Sequence, residues 1–475
     1  MTELFESLVA GEHERSGRLP VFAPYDGALI AEVETVGEAG TGQALHTAYR
    51  LFRDRHSWLP VHQRIEILER TAQMLRERAE DLALEAAREG GKPLIDSRVE
   101  VARAIDSIRL CVECLRSDGG EVVPMDINAA SAGRRAFTVT EPIGVVVAVS
   151  AFNHPLNLIA HQVGPAIAAG CPVIVKPAED TPLSCFRFVR ILREAGLPEE
   201  WCQALVTSEL DAATALVTDS RVGFLSFIGS AKVGWRLRSL LAPGTRCALE
   251  HGGAAPVIVA DDADLDVAIP KLAKGGFYHA GQVCVSVQRV FAQRSIAEEV
   301  AARLAETARG LRIDDPTLSD TEVGPLIREA EVKRIDGWVR EATSRGARLR
   351  AGGQVLSRST YACTVLDDPP PDTRVSTEEV FGPVVCVYPF DDLGEAAARA
   401  NALRWAFQAA VFTRDMDTAM QACHALDASA VMVNDHTAFR VDWMPFAGLR
   451  ESGLGVGGIP YTLHDMQVRK LIVIQ

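Results

Sequence analysis

The stretch IGVVVAVSAFNHPLNLIAHQVGPAIAAGCPVIVKP, residues 143–177, sets the fold class. Its first eight residues are an apolar, β-branched run without polar alternation, the pattern of a strand covered on both faces. A helical stretch follows and stops at Gly170, and CPVIVKP (171–177) is a second strand of the same kind. The alternation continues outward. PLSCFRFVRILREAG reads as a helix ending in glycine, and ALVT (204–207) and VGFLSFI (222–228) read as strands. After Gly252-Gly253 comes PVIVA, then a long helix ending near Gly281, then more of the same pattern to about residue 434. Strands separated by helices at this spacing predict a parallel α/β sheet.

The flanks differ. Residues 61–89 repeat apolar positions at helical spacing until Gly90-Gly91-Lys92-Pro93 stops them, and a second helix covers roughly 97–117. GEVVPMDINAASAGRRAFTVTEP (120–142) reads as a hairpin-like insertion, and the tail MQVRKLIVIQ as a strand. No internal repeat or low-complexity stretch interrupts the chain.

The chain's 475 residues suffice for two or three domains. A hydrophobic share of 48% and a charged share of 24% are those of an ordinary soluble protein, which excludes a disordered or membrane-embedded class. The net charge of −14 argues against nucleic acid, whose binding needs a concentrated basic face. The N-terminus lacks a basic segment followed by an apolar run, and IGVVVAVSAF is too short to span a bilayer. A cytoplasmic protein with no membrane partner is expected. Its ten scattered cysteines then read as reduced thiols. Cys111 and Cys114 form a CxxC, but no second pair completes a zinc site, and they fall in a helical segment. No metal-ligand cluster stands out. Gly453-x-Gly455-x-x-Gly458 matches GxGxxG, yet only seventeen residues follow it, too few for a βαβ unit of about thirty.

Five pieces carry chemistry-bearing side chains. Asn153 follows the first buried strand. Lys176 and Glu179 stand at the end of the second. Glu250 precedes a glycine pair in LEHGG, Cys284 lies in GQVCVSVQR, and Glu379 and Phe381 lie in EEVFGPV. Singly, each has a structural explanation: a turn residue, a solvated ion pair, a strand end, a buried thiol, a core ring. In open α/β sheets, however, ligands bind beyond the carboxyl ends of strands, and several of these pieces sit there.

Together, FNHPLN, VKPAEDTP, SFIGSAKVG, LEHGG, GQVC, EEVFGPV and NDHTAFRVDWMPFAGLRESGLG resemble the NAD(P)-dependent aldehyde dehydrogenase superfamily in order and spacing, over nearly the whole chain. Among its members the sequence looks most like bacterial enzymes for small functionalised aldehydes such as lactaldehyde or phosphonoacetaldehyde. The resemblance implies a Rossmann-like NAD-binding domain (1–119 and 143–249), an α/β catalytic domain (250–458) and a small β oligomerisation element (120–142 and 459–475). It also implies a homodimer or homotetramer. Cys284 would be the nucleophile, Asn153 an oxyanion donor, and Glu250 the base that activates water against the thioester. Lys176 and Glu179 would meet the adenosine ribose, Gly229 and Ser230 the pyrophosphate, and Glu379 the nicotinamide ribose with Phe381 nearby. A carboxylate at Glu179 repels a 2′-phosphate, so NAD is expected over NADP.

Substrate contacts are expected from His161, Val283, Val285 and Arg440, with His279, His436 and Phe439 close in sequence to the site. Arg440 is open to two readings, anchor of an anionic aldehyde or internal salt bridge, and for each histidine an ordinary packing role is the favoured alternative. The sequence departs from the family at Ile228 (usually threonine), His251 (usually apolar), Ala254 (usually lysine or asparagine), the FAG of 446–448 (usually FGG) and Val456-Gly457 (usually Arg-Glu). None of these removes a catalytic group. A CoA-acylating dehydrogenase and an inactive homologue that only binds are the rival readings. Glu250 argues against the first, and the intact set Cys284, Asn153 and Glu250 against the second.

Overall fold

The computed structural model describes residues 2–475. Two large sheets organise it. In the first, strands Arg246–Glu250, Val222–Ile228, Val145–Val149, Val173–Lys176 and Cys202–Ala204 run parallel in that spatial order, and Gly453–Leu454 adds an antiparallel edge. The central strands are buried on both faces, as their unbroken apolar runs require. The helix Asn157–Ala169 between two of them is buried along its whole length, which suits a segment that is apolar all round, and it closes on Gly170 in a left-handed conformation.

In the second sheet the order is Arg348–Ala351, Thr364–Asp367, Val384–Phe390, Val287–Gln293, Ala255–Val259, Gln408–Phe412, Ala430–Val433. Its strands are parallel except for the antiparallel first pair. The apolar interior of this sheet is separate from that of the first. A third, small antiparallel sheet joins Val122–Val123, Arg135–Pro142 and Gln467–Ile474. Among the described residues, no helix is long and apolar enough to cross a membrane.

Three details differ from the sequence reading. The 61–89 run is two helices, Val61–Glu77 and Ala79–Gly90, because Arg78 leaves the helical conformation while the apolar spacing carries on through it. The 204–207 strand is divided: Cys202–Ala204 belongs to the first sheet, and Val206–Thr207 pairs with Leu29–Val36 elsewhere. That small sheet also contains Glu3–Phe5 and Gly17–Phe22, strands the sequence did not signal, since Pro20 and an irregular polar pattern mask them.

The two sheets meet end to start. Asn153, Lys176, Gly229 and Glu250 lie at or just beyond the carboxyl ends of first-sheet strands. Cys284, Glu379 and Phe381 precede second-sheet strands, so they stand at amino ends, contrary to the simple carboxyl-end rule.

Candidate active site

A cleft of about 1140 Å³ opens between the two sheets, and Asn153, Glu250 and Cys284 all line it. Asn153 is held from two sides. Its Nδ2 donates to the carbonyl of Gln282 at 2.9 Å, bridging the sheets two residues before Cys284. Below it, Glu100 reaches in from the helix Leu94–Ser117. Glu100 Oε1 accepts from the N–H groups of Leu156 (2.9 Å) and Asn157 (3.0 Å), and Oε2 accepts from Lys92. Both members of that ion pair are fully buried. Glu100 thereby satisfies amide donors at the start of the helix Asn157–Ala169 from outside that helix.

The loop before Cys284 is bent by three consecutive left-handed residues, His279 (φ 48°), Ala280 (φ 54°) and Gly281 (φ 71°). Such backbone is costly for non-glycine residues and persists only where surroundings enforce it. Gln282 enforces it here. Its Nε2 donates to His279 and Pro325 carbonyls and its Oε1 accepts from the Ile327 amide. At Gly281 a Cβ would stand 2.1 Å from the Gly382 oxygen, so no side chain fits. Val283 and Val285 pack with Phe407 and Phe446, leaving the part-exposed Cys284 facing the cleft.

Burial and the neighbouring Glu250 push the Cys284 thiol well above its ordinary range, with Arg440 acting the other way. Burial also raises Glu250, again opposed by Arg440 and more weakly by Arg103. Arg440 Nη1 lies 3.9 Å from Glu250 Oε1. Its guanidinium carbon sits 3.6 Å from the centre of the Phe446 ring, and Nη2 donates to His161 Nδ1 at 3.4 Å. That assigns the proton of His161 to Nε2, which faces Asp442 at 2.7 Å. Asp442 in turn takes a fork from Arg103. Burial opposes its ionisation, but His161 and Arg103 outweigh that and hold it below the usual carboxylate range.

On the other arm of the cleft, Lys176 Nζ pairs with Glu179 Oε1 at 3.3 Å. Gly229 donates to the Glu250 carbonyl at 3.0 Å, and Ser230 precedes the helix Ala231–Leu240, whose first turn borders the cleft. Glu379 is part-buried, and loss of solvent around its carboxyl pushes it up to about 8 despite a hydrogen bond from the Gly253 amide at 3.1 Å. Gly252 makes this approach possible, since a Cβ there would fall 1.6 Å from Glu379 Oε1. Phe381 (φ 45°) meets the Phe152 ring edge to face at 5.8 Å.

Val283, Val285, His436, Phe439 and Arg440 line the cleft. His161 does not. It lines a small adjoining cavity behind Glu250, because Asp442 and Arg440 hold its ring away from the main space. His279 is fully buried and also off the cleft. Sequence reading missed Arg103, which lines the cleft, and its partner Asp442. Asp96, Val99 and Arg103 recur at helical spacing on one face of Leu94–Ser117, the signal that points to them.

Comparison with known proteins shows the family and the fold. The aldehyde dehydrogenase family model matches residues 11–472. The chain is 34% identical to 3-sulfolactaldehyde dehydrogenase of Priestia aryabhattai, over 98% of this chain and 97% of that protein. Aldehyde dehydrogenase 21 of Physcomitrella patens, solved with the product succinate, superposes with a TM-score of 0.95 at 34% identity, covering 100% and 99% of the two chains. The glyceraldehyde-3-phosphate dehydrogenase GapN of Methanocaldococcus jannaschii, solved with NADP, gives 0.92 at 32% identity, covering 97% and 99%. With its mixed parallel fold and family match across almost its entire length, the chain belongs to the aldehyde dehydrogenase family and is an NAD(P)-dependent aldehyde dehydrogenase.

Proposed function

We propose that the protein oxidises a small anionic aldehyde to its carboxylic acid through a thioester on Cys284, with NAD preferred over NADP. The observation that carries this reading is the convergence of Cys284, Asn153 and Glu250 on one cleft that continues past Glu379 to Lys176 and Glu179.

The residues fit a bound dinucleotide. Glu379 is a part-buried carboxyl with spare acceptor capacity, Ser230 starts a helix whose amides border the cleft, and the Lys176–Glu179 pair stands at a strand end. Bound NAD(P) would supply the hydride acceptor. Glu179 is half exposed, so its carboxylate is free to accept ribose hydroxyls and to repel a 2′-phosphate.

Cys284 thiolate adds to the aldehyde carbon, forming a C–S bond and an oxyanion. Asn153 Nδ2 exchanges its bond to the Gln282 carbonyl for that oxyanion, joined by the Cys284 amide. Loss of hydride from the same carbon leaves a thioester. Glu250 then takes a proton from water, the resulting hydroxide adds to the thioester, and Cys284 leaves as thiolate with release of the acid. The raised thiol of Cys284 requires a proton acceptor before the first step, and Glu250, which lines the same cleft, would take that proton as well.

Arg103 and Arg440 line the cleft, and although Asp442 holds Arg103, Arg440 comes no nearer than 3.9 Å to Glu250 and has donors to offer an anionic group on the aldehyde. Relatives named for 3-sulfolactaldehyde, or solved with succinate, fit that preference. The test is formation of reduced nicotinamide with neutral, hydroxy, carboxylate, sulfonate and phosphonate aldehydes, each with and without CoA. CoA-independent turnover strongest for one anionic class is expected, and Cys284→Ala abolishes it. A CoA requirement would replace hydrolysis by acyl transfer. A flat response alongside intact dinucleotide binding would favour the inactive homologue.

A further inference from the structure

Three consecutive residues of LEHGG reach three different places. Glu250 lines the cleft with Cys284 and lies 3.9 Å from Arg440, Gly252 makes room for Glu379, and His251 between them turns to the Gly229–Ser230 turn. His251 is 2% exposed, and its Nδ1 lies 2.7 Å from the Gly229 carbonyl oxygen. A carbonyl only accepts, so Nδ1 carries the proton and Nε2 is a bare lone pair. That Nε2 is buried with no hydrogen-bond partner among the described residues. The ring is wedged against Phe227 (5.7 Å) and Trp235 (6.1 Å), the last residue of one strand's core face and a residue on the following helix. It presses so closely on that helix that a Cβ at Gly234 would fall 2.1 Å from its Cε1.

Gly229 is thus pinned at both ends of its peptide units. Its N–H donates to the carbonyl of Glu250, and its carbonyl accepts from the side chain of the next residue, His251. An apolar residue at 251, which the family pattern has, fills the wedge but cannot make the second bond.

We infer that His251 is a positioning residue for the dinucleotide: it fixes the Gly229–Ser230 turn so that the first amides of the helix Ala231–Leu240 are preset for a pyrophosphate. It also ties that turn to the strand that carries Glu250. The inference rests on the reading of this arm of the cleft as the dinucleotide site. The ligand class is a dinucleotide with an anionic pyrophosphate, and the contribution is prepaid ordering of the backbone that receives it.

The experiment is calorimetric titration of NAD into the purified wild type, His251→Leu and His251→Asn. Asparagine places an amide N–H near the position of Nδ1 and keeps the donor, whereas leucine keeps the apolar bulk and loses it. Expected is a Kd for His251→Leu raised about three- to ten-fold, the scale of one hydrogen bond, with His251→Asn close to wild type. A purely packing role predicts the reverse order, and that order, or equal affinity in all three, overturns the inference while leaving the cofactor reading intact. Absence of NAD and NADP binding in the wild type overturns both. Should His251→Leu not fold, His251→Met takes its place: it keeps apolar bulk without the donor, so it must bind NAD more weakly than His251→Asn, and the reverse order overturns the inference.

Discussion

At the scale of single residues, charge decides the behaviour of the site. On the proposed cofactor reading, Glu379 would offer both oxygens as acceptors to a ribose only when ionised, and burial of its carboxyl holds it up to about 8. The neutral acid therefore prevails below that pH, and NAD affinity is expected to strengthen as pH rises through about 8. Glu379→Gln should bind more weakly and lose this slope, as titrations across the neutral range would show. Arg440 opposes the burial that raises both Glu250 and Cys284. With Arg440→Met both groups rise further, so the acid limb of the pH–rate profile moves to higher pH. At neutral pH kcat falls by about ten-fold or more, toward the 10²–10⁴ typical of a lost general base. If KM for anionic aldehydes alone changes and the profile stays in place, Arg440 is only an anchor. Cys284 and Glu250 were legible from the sequence through their motifs. Arg103 was not, and His251 showed only as a departure from the family pattern, because their partners are set by the fold: Arg103 meets Asp442 across 339 positions.

At the scale of elements, the decisive contact is one helix holding the start of another. Glu100 and Lys92 form a buried pair under the turn that carries Asn153. Glu100→Gln leaves Lys92 without its counter-charge, and a loss of about 3–5 kcal/mol in unfolding free energy is expected from denaturant titration. It also lets the turn shift, which should slow the hydride burst by up to about 100-fold. In an Asn153→Ala background the same change should slow the burst little further. Additive losses would mean that Glu100 serves stability alone. The elements themselves were readable where one pattern dominates, as in Val145–Val149 and Val173–Lys176, buried on both faces. They were unreadable where periodicity survives a break, as at Arg78, or where a proline sits inside a strand, as in Gly17–Phe22.

At the scale of the whole molecule, the strand Gln467–Ile474 pairs with Arg135–Pro142 along one side and is open along the other. Leu471, Val473 and Ile474 are exposed on it. An open ladder edge with apolar side chains is a liability that pairing between subunits removes. Leu471→Glu with Val473→Lys is expected to reduce the mass seen by light scattering to that of one chain, whereas an unchanged mass would place any subunit contact elsewhere. The sheet order and the meeting of carboxyl ends with amino ends were beyond the sequence, because strand spacing says nothing of which sheet a strand joins.

The edge strand Gly453–Leu454 has a consequence for vectorial synthesis. It flanks Arg246–Glu250, the strand that ends in Glu250, and Arg440 and Phe446 come only shortly before it in the chain. A ribosome adding about 5–20 residues per second makes Cys284 roughly 8–30 s before Arg440. During that interval the nascent thiol has neither the cation that eases its ionisation nor a finished wall around it. The cleft is therefore completed late, and a chain cut short by premature termination carries Cys284 without Arg440 to ease its ionisation.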